Sequence, residues 1–136
     1  MDDLVVWLRA QFDEDERTVR ATVWEGSGNK LEWELIASAT IDVGGDEFYV
    51  GDRTIANHMM AWEPARVLRE IDAKRQLLAL HQPVEQRSTG SGGGVATDCQ
   101  VCSHFPARYP CATVRLLALP YADRPGFRPE WVADLR

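Results

Sequence analysis

Apolar residues recur at Leu4, Leu8, Phe12, Val19 and Val23. This near-helical spacing predicts an amphipathic helix from a cap at Asp2 or Asp3 to about Trp24. Asp15 and Glu16 interrupt its stripe, and Gly26-Ser27-Gly28-Asn29 ends it. The period then changes. Leu31, Trp33, Leu35 and Ala37 alternate with mostly polar neighbours, Ile41 and Val43 continue the alternation, and Phe48 and Val50 resume it after Gly44-Gly45-Asp46. Two or three short antiparallel strands follow, with a tight turn at the glycines. A sheet this small needs a helix against one face.

Beyond Asp52 the pattern is helical again. Asp52 or Thr54 is placed to cap a short helix through Trp62, and Pro64 suits the first turn of a longer one to about His81. Val67, Leu68, Ile71, Leu78 and His81 share one side of that helix, with Lys74 and Arg75 mid-stripe. Residues 83–98 contain Ser88-Thr89-Gly90-Ser91-Gly92-Gly93-Gly94 and read as a flexible Gly/Ser-rich loop. Pro110 is expected to start a third helix, Cys111 to Leu119, which Pro120 stops. Tyr121, Phe127 and Trp131, separated by prolines, then form an irregular strap packed by its aromatics. The fold class is α+β: a helical core with a small antiparallel hairpin or three-stranded sheet and a zinc-stapled C-terminal segment.

Length and composition sharpen this outline. The 136 residues suit a single domain, 1–136, and an apolar fraction of 45% supports a buried core. A formal net charge of −6 disfavours general binding to a phosphate backbone, which needs a basic face. The acidic N-terminus lacks an apolar signal core, and no apolar run nears the roughly 20 residues of a membrane span. A cytoplasmic protein is expected.

The chain holds three cysteines, Cys99-Gln-Val-Cys102 and Cys111. An odd count that includes a C-x-x-C fits a metal site better than a disulfide framework. Zinc takes four N or S donors in a tetrahedron, and a C-x-x-C knuckle supplies two. Cys111, read as lying in a first helical turn, is favoured there as a thiolate. His81, at a helix end, is the preferred fourth ligand, and His104 competes for that place. The metal set is therefore His81, Cys99, Cys102 and Cys111, holding structural zinc. Four protein ligands close such a site, whereas three leave a water position and a hydrolytic reading. The bland alternative is three small buried thiols or a labile Cys99–Cys102 pair.

Other features carry less. The run Asp13-Glu14-Asp15-Glu16 could join His58, Glu63 or Glu70 around a second metal, but it reads better as a solvated face with one inward acid. That acid, Asp15 or Glu16, would offset the charge of Lys74 or Arg75. Arg66, Arg69, Lys74 and Arg75 are interrupted by Glu63, Glu70 and Asp72, a mixed surface rather than a nucleic-acid one. Gly90–Gly94 has no following Lys-Ser/Thr and is no phosphate loop. The five tryptophans are expected to be packing residues.

The chain also resembles a family. Its Asp13–Glu16 helix resembles that family's N-terminal signature. Pro64-Ala65-Arg66-Val67-Leu68-Arg69-Glu70, with Ala73-Lys74-Arg75, is similar to the central helix. Tyr109-Pro110-Cys111-Ala112-Thr113-Val114-Arg115-Leu116-Leu117-Ala118-Leu119-Pro120-Tyr121-Ala122-Asp123, followed by Pro125 and Glu130-Trp131, is similar to the C-terminal signature. The family is an uncharacterised one of unknown function, found in actinobacteria and their phages. The resemblance implies one domain and such an origin, and no chemistry.

The expected function is a small non-enzymatic accessory or protein-interaction module, associated with phage or mobile elements, with structural zinc and another protein as partner. A metal-dependent enzyme with an open zinc site or acidic-cluster metal is the alternative, and a nucleic-acid-associated regulator the second. Neither membrane nor nucleic acid is expected as a partner, and oligomeric state is left open.

Overall fold

The computed structural model describes residues 2–87, 95–102 and 108–135. Its chain contacts resolve two compact units. One comprises Met1–Phe12 with Ala73–Arg136, the other Asp13–Asp72. The elements are α-helices and antiparallel strands, so the fold is α+β. Among the described residues, no helix is long and apolar enough to cross a membrane.

Helix α1, Asp2–Arg20, buries Leu4, Leu8, Phe12 and Val19. It begins at Asp2, so Asp3 lies inside the first turn and its carboxylate meets Arg128 instead of capping. The helix stops earlier than predicted. Thr22 turns its hydroxyl back onto the Val19 carbonyl, and Val23 and Trp24 are left exposed.

In the unit 13–72, strands β1 (Glu34–Ile36), β2 (Thr40–Asp42) and β3 (Glu47–Tyr49) form an antiparallel sheet in that order. Leu35 faces Ile41 and Ile41 faces Phe48, so one apolar row crosses the sheet. Helix α2, Arg53–Ala61, packs on β1 and β2 and buries Ala56 against Ala39, Ile41 and Val43. Asp52 is its cap, accepting the Ile55 N–H at 3.0 Å. The β2–β3 turn is the one expected at Gly44-Gly45. A Cβ on Gly45 would sit 1.9 Å from the Ser27 carbonyl oxygen, so only glycine fits. Glu63 accepts the Trp33 N–H at 2.8 Å, and Glu16 pairs with Arg20 one turn on.

Helix α3, Pro64–Leu80, starts at the predicted proline. In the other unit, Lys74 donates to the Tyr121 hydroxyl at 3.0 Å. Residues 83–98 depart from the loop expectation. Strands β4 (Pro83–Arg87) and β5 (Val95–Cys99) pair as an antiparallel hairpin, and Ser88–Gly94 lies outside the described residues. Glycine content masks these strands, although Val84, Val95 and Thr97 carry β-branches suited to them. Pro83 is tolerated because it is the first strand residue.

Helix α4 is shorter than expected, Ala112–Leu116. Pro120 does not stop it but sits within a 3₁₀ turn, Leu119–Tyr121. The strap is packed by aromatics as predicted: Trp7 stands 6.3 Å from Tyr121 and 5.3 Å from Trp131, centroid to centroid. Its indole N–H donates to the Pro125 carbonyl at 3.0 Å. Gly126, at positive φ, leaves room for that ring, which a Cβ would meet at 2.6 Å.

Candidate metal centre

Four elements within one unit converge on a single point. Helix α3 carries His81 just past its end, where the His81 N–H still bonds the Leu77 carbonyl at 3.1 Å. Gln82 folds back onto the Leu78 carbonyl, satisfying a carbonyl of the last turn. The hairpin then supplies Cys99, whose strand partner is Pro83, two residues beyond His81. Gln100 N–H bonds the Gln82 carbonyl at 2.8 Å, closing the hairpin foot beside the histidine.

Cys102 follows in the turn after β5. The chain is brought back by a bridge between Asp98 and Arg108 and by the Tyr109 N–H on the Thr97 carbonyl. That return delivers Cys111. It stands at the N-cap of α4 and not within its first turn, with extended backbone and its carbonyl accepting from Arg115. Its position therefore comes from tertiary return of the chain, not from a helix dipole.

The His81 imidazole presents Nδ1 to all three sulfurs, at 3.3 Å from Cys99, 3.5 Å from Cys102 and 3.4 Å from Cys111. All four donor atoms lie within 4.8 Å of one another. Cys99 and Cys111 are 5% and 4% exposed, and no disulfide joins the thiols. One nitrogen carries one proton or one lone pair, so it cannot hydrogen-bond three thiols at once. The near-equal N–S spacing is compatible with four donors gathered around one cation. With Zn–S of about 2.3 Å and Zn–N of about 2.0–2.1 Å, a tetrahedral N–S edge is roughly 3.5 Å. The cluster could hold a metal such as zinc.

The local electrostatics are divided. Burial of Cys99 works against its ionisation, but the Val101 and Cys102 N–H groups and His81 stabilise the thiolate, and the balance lies at about 7. Cys102 is pushed up to about 12 by burial, then by hydrogen bonds and charge from Cys99 and Cys111. Crowded thiols held by protons alone cannot all ionise, and a divalent cation removes that conflict.

All four residues of the predicted set meet here, and His104 lies outside the described residues. Among the described residues, no other group of three or more His, Cys, Asp or Glu is gathered closely enough to hold a metal. Asp13–Glu16 with His58, Glu63 or Glu70 therefore does not form the second site considered above. What the spacing could not show was the device that assembles the cluster, the β4–β5 hairpin with its returning bridge. The tryptophans also depart from expectation: Trp7 and Trp131 pack together, but Trp24 and Trp62 are exposed, with Arg66 over the Trp62 ring at 4.8 Å.

No curated protein and no solved structure matches the chain. One sequence family does, over residues 1–133, nearly the whole length. The chain therefore belongs to the family of unknown function DUF6221, and within it carries a clustered His81, Cys99, Cys102 and Cys111 with the donor chemistry of a metal site.

Proposed function

We propose that His81, Cys99, Cys102 and Cys111 bind one structural zinc ion and that the protein is a non-enzymatic interaction module held together by it. The observation that carries this is the trio of near-equal distances from one imidazole nitrogen to three sulfurs. Four protein donors complete a tetrahedral shell, which leaves no coordination position for a water nucleophile. Such an arrangement supports a staple over a hydrolase. The staple joins the end of α3, the hairpin and the start of α4, elements otherwise linked by short strands and a five-residue helix. Structural zinc in small domains supplies roughly 10 kcal/mol of apparent binding energy, comparable with a whole domain's net stability.

One basic residue of α3 weighs against a nucleic-acid reading. Arg66 is engaged with Glu70 at 2.9 Å and with the Ala61 carbonyl, leaving little for phosphate.

The test is metal content together with Co²⁺ substitution. Protein purified without chelator should hold one zinc, and the Co²⁺ form should show the intense visible bands of a tetrahedral thiolate-rich site. His81→Ala and Cys111→Ala should lose or loosen the metal and lower Tm, whereas His104→Ala should do neither. Metal-free wild-type protein that melts normally would defeat the proposal, as would zinc retained in full by both variants.

A further inference from the structure

The three sulfurs of the cluster are not equally shielded. Cys99 and Cys111 are buried, whereas Cys102 is only partly so. The fold builds this difference. Cys99 is the last residue of β5 and is held opposite Pro83 in the hairpin ladder. Cys111 is covered where the chain returns, with the Tyr109 N–H on the Thr97 carbonyl and its own carbonyl taken by Arg115. Cys102 instead follows a bend in which Gln100 is open to solvent and Val101 is 47% exposed. One donor therefore stands near the surface with two shielded donors behind it.

The Cys102 thiol also contacts both of the others. It lies within hydrogen-bonding reach of Cys99 and of Cys111, and all the donor atoms fall within 4.8 Å of one another. A disulfide needs two sulfurs to close to about 2.0 Å. Between Cys99 and Cys102 that closure is local, because only Gln100 and Val101 separate them and the bend can adjust. Between Cys102 and Cys111 it would pull the bend against a segment anchored by the Asp98–Arg108 bridge and the Tyr109–Thr97 hydrogen bond. The C-x-x-C pair is the one placed to couple.

Zinc holds its cysteines as thiolates, the form that attacks peroxides. Access then decides which sulfur reacts first, and Cys102 is the accessible one.

From this we propose that the site is a redox-released staple: hydrogen peroxide oxidises Cys102, Cys99 closes a disulfide onto it, and zinc leaves. The proposal rests on the reading of the cluster as a zinc site and concerns how that site is regulated. In the first step Cys102 Sγ attacks one peroxide oxygen and the O–O bond breaks. One proton is taken up, a water leaves, and Cys102 becomes a sulfenic acid. Cys99 Sγ then attacks that sulfur and the S–O bond breaks. A second proton is taken up and a second water leaves. Two thiolates, one peroxide and two protons thus become one disulfide and two waters. The two sulfurs lose the two electrons that the peroxide oxygens gain.

His81 and Cys111 are then the remaining donors, too few for a tetrahedral shell. The disulfide does not replace what the metal did. It closes a loop with two intervening residues, and cross-links constrain the chain less as the loop shortens. Zinc joined the end of α3, the hairpin and the start of α4, so oxidation disconnects all three. A dithiol reductant regenerates both thiols and, with zinc, the staple.

The experiment uses the wild-type chain purified without chelator. Zinc content is measured first, and hydrogen peroxide is then added in the presence of a colorimetric zinc indicator. One zinc should be released for each disulfide formed, and peptide mapping should place that bond at Cys99–Cys102. Dimedone present during oxidation should trap the sulfenic acid on Cys102. Tm should fall, and the Gln100 and Tyr109 amides, which bond across the hairpin foot and the chain return, should lose protection from hydrogen exchange. Dithiothreitol with added zinc should restore all of these. Zinc held at the outset and retained through peroxide treatment would overturn the switch and leave the zinc reading standing. A bond to Cys111, a bond between chains, release with no bond, or dimedone on Cys99 or Cys111 would overturn the Cys102–Cys99 order. A chain with no zinc at the outset would defeat the zinc reading itself, and the switch with it.

Discussion

At the scale of single residues, the thiols of the cluster set a pH dependence whose sign follows from their shifts. Cys99 is lowered from 9.0 to about 7, so in the folded state it releases its proton sooner than in the unfolded chain. Its contribution is fully present above pH 9.0 and is lost as pH falls through about 7. Cys102 is raised from 9.0 to about 12, so its contribution is present below pH 9.0 and is lost as pH rises through about 12. Chelator-treated protein is therefore expected to gain Tm from pH 7 towards pH 9.0 and to lose it above. Zinc loading should extend stability to lower pH, because the metal holds the thiolates deprotonated. Melting curves across that range with and without chelator check both statements. A second expectation concerns the backbone. Ser38 and Ala39 both adopt positive φ between β1 and β2, a region costly for residues with a Cβ. Ser38 is exposed, so Ser38→Gly removes the strain without opening the core. It should raise stability by about 0.5–1 kcal/mol in urea unfolding. Ala39→Gly is expected to gain less, since Ala39 belongs to the buried cluster.

At the scale of elements, α2 depends on its cap. Its first turn has no acidic residue to favour the exposed N–H groups, so the Asp52 carboxylate carries that role. Asp52→Ala should cost about 1 kcal/mol and raise hydrogen exchange at Ile55 and Ala56. The starts of α2 and α3 and the central sheet were legible because their signals are local: Pro64 at a first turn, Asp52 at a cap, and apolar residues alternating with mostly polar neighbours from Leu31 to Val43. The β4–β5 hairpin was not legible. Its strands flank a long Gly/Ser run, and their pairing is rewarded only by contacts outside the run itself, the Asp98–Arg108 bridge and the foot at Gln82 and Gln100. The short α4 escaped for a related reason: helical periodicity continues through Leu119, but the chain tightens to a 3₁₀ turn there to bring Tyr121 against Trp7 and Phe12.

At the scale of the whole molecule, charge governs behaviour in solution. The net charge is −6, and several carboxylates of the sheet face one another. Ion pairs such as the exposed Arg17–Glu14 and the half-buried Arg66–Glu70 remain open to solvent and contribute little. Self-repulsion should outweigh them, so raising NaCl from low to physiological strength is expected to increase Tm of the zinc-loaded protein. A fall in Tm would mean that the exposed ion pairs dominate.

The sequence by itself determined the fold class, the apolar stripe of α1 and the start of α3 at Pro64, and it nominated His81, Cys99, Cys102 and Cys111 as a candidate donor set, because periodicity, capping and ligand chemistry are read from residue types and local spacing. Only the tertiary structure decided that one imidazole nitrogen faces three thiols. It also decided that Trp24 and Phe48 stay outside the core, and that Cys111 is placed by the Asp98–Arg108 bridge and the Tyr109–Thr97 hydrogen bond. Those are relations between residues far apart in the chain. They follow from loop closure and packing, which no local pattern encodes.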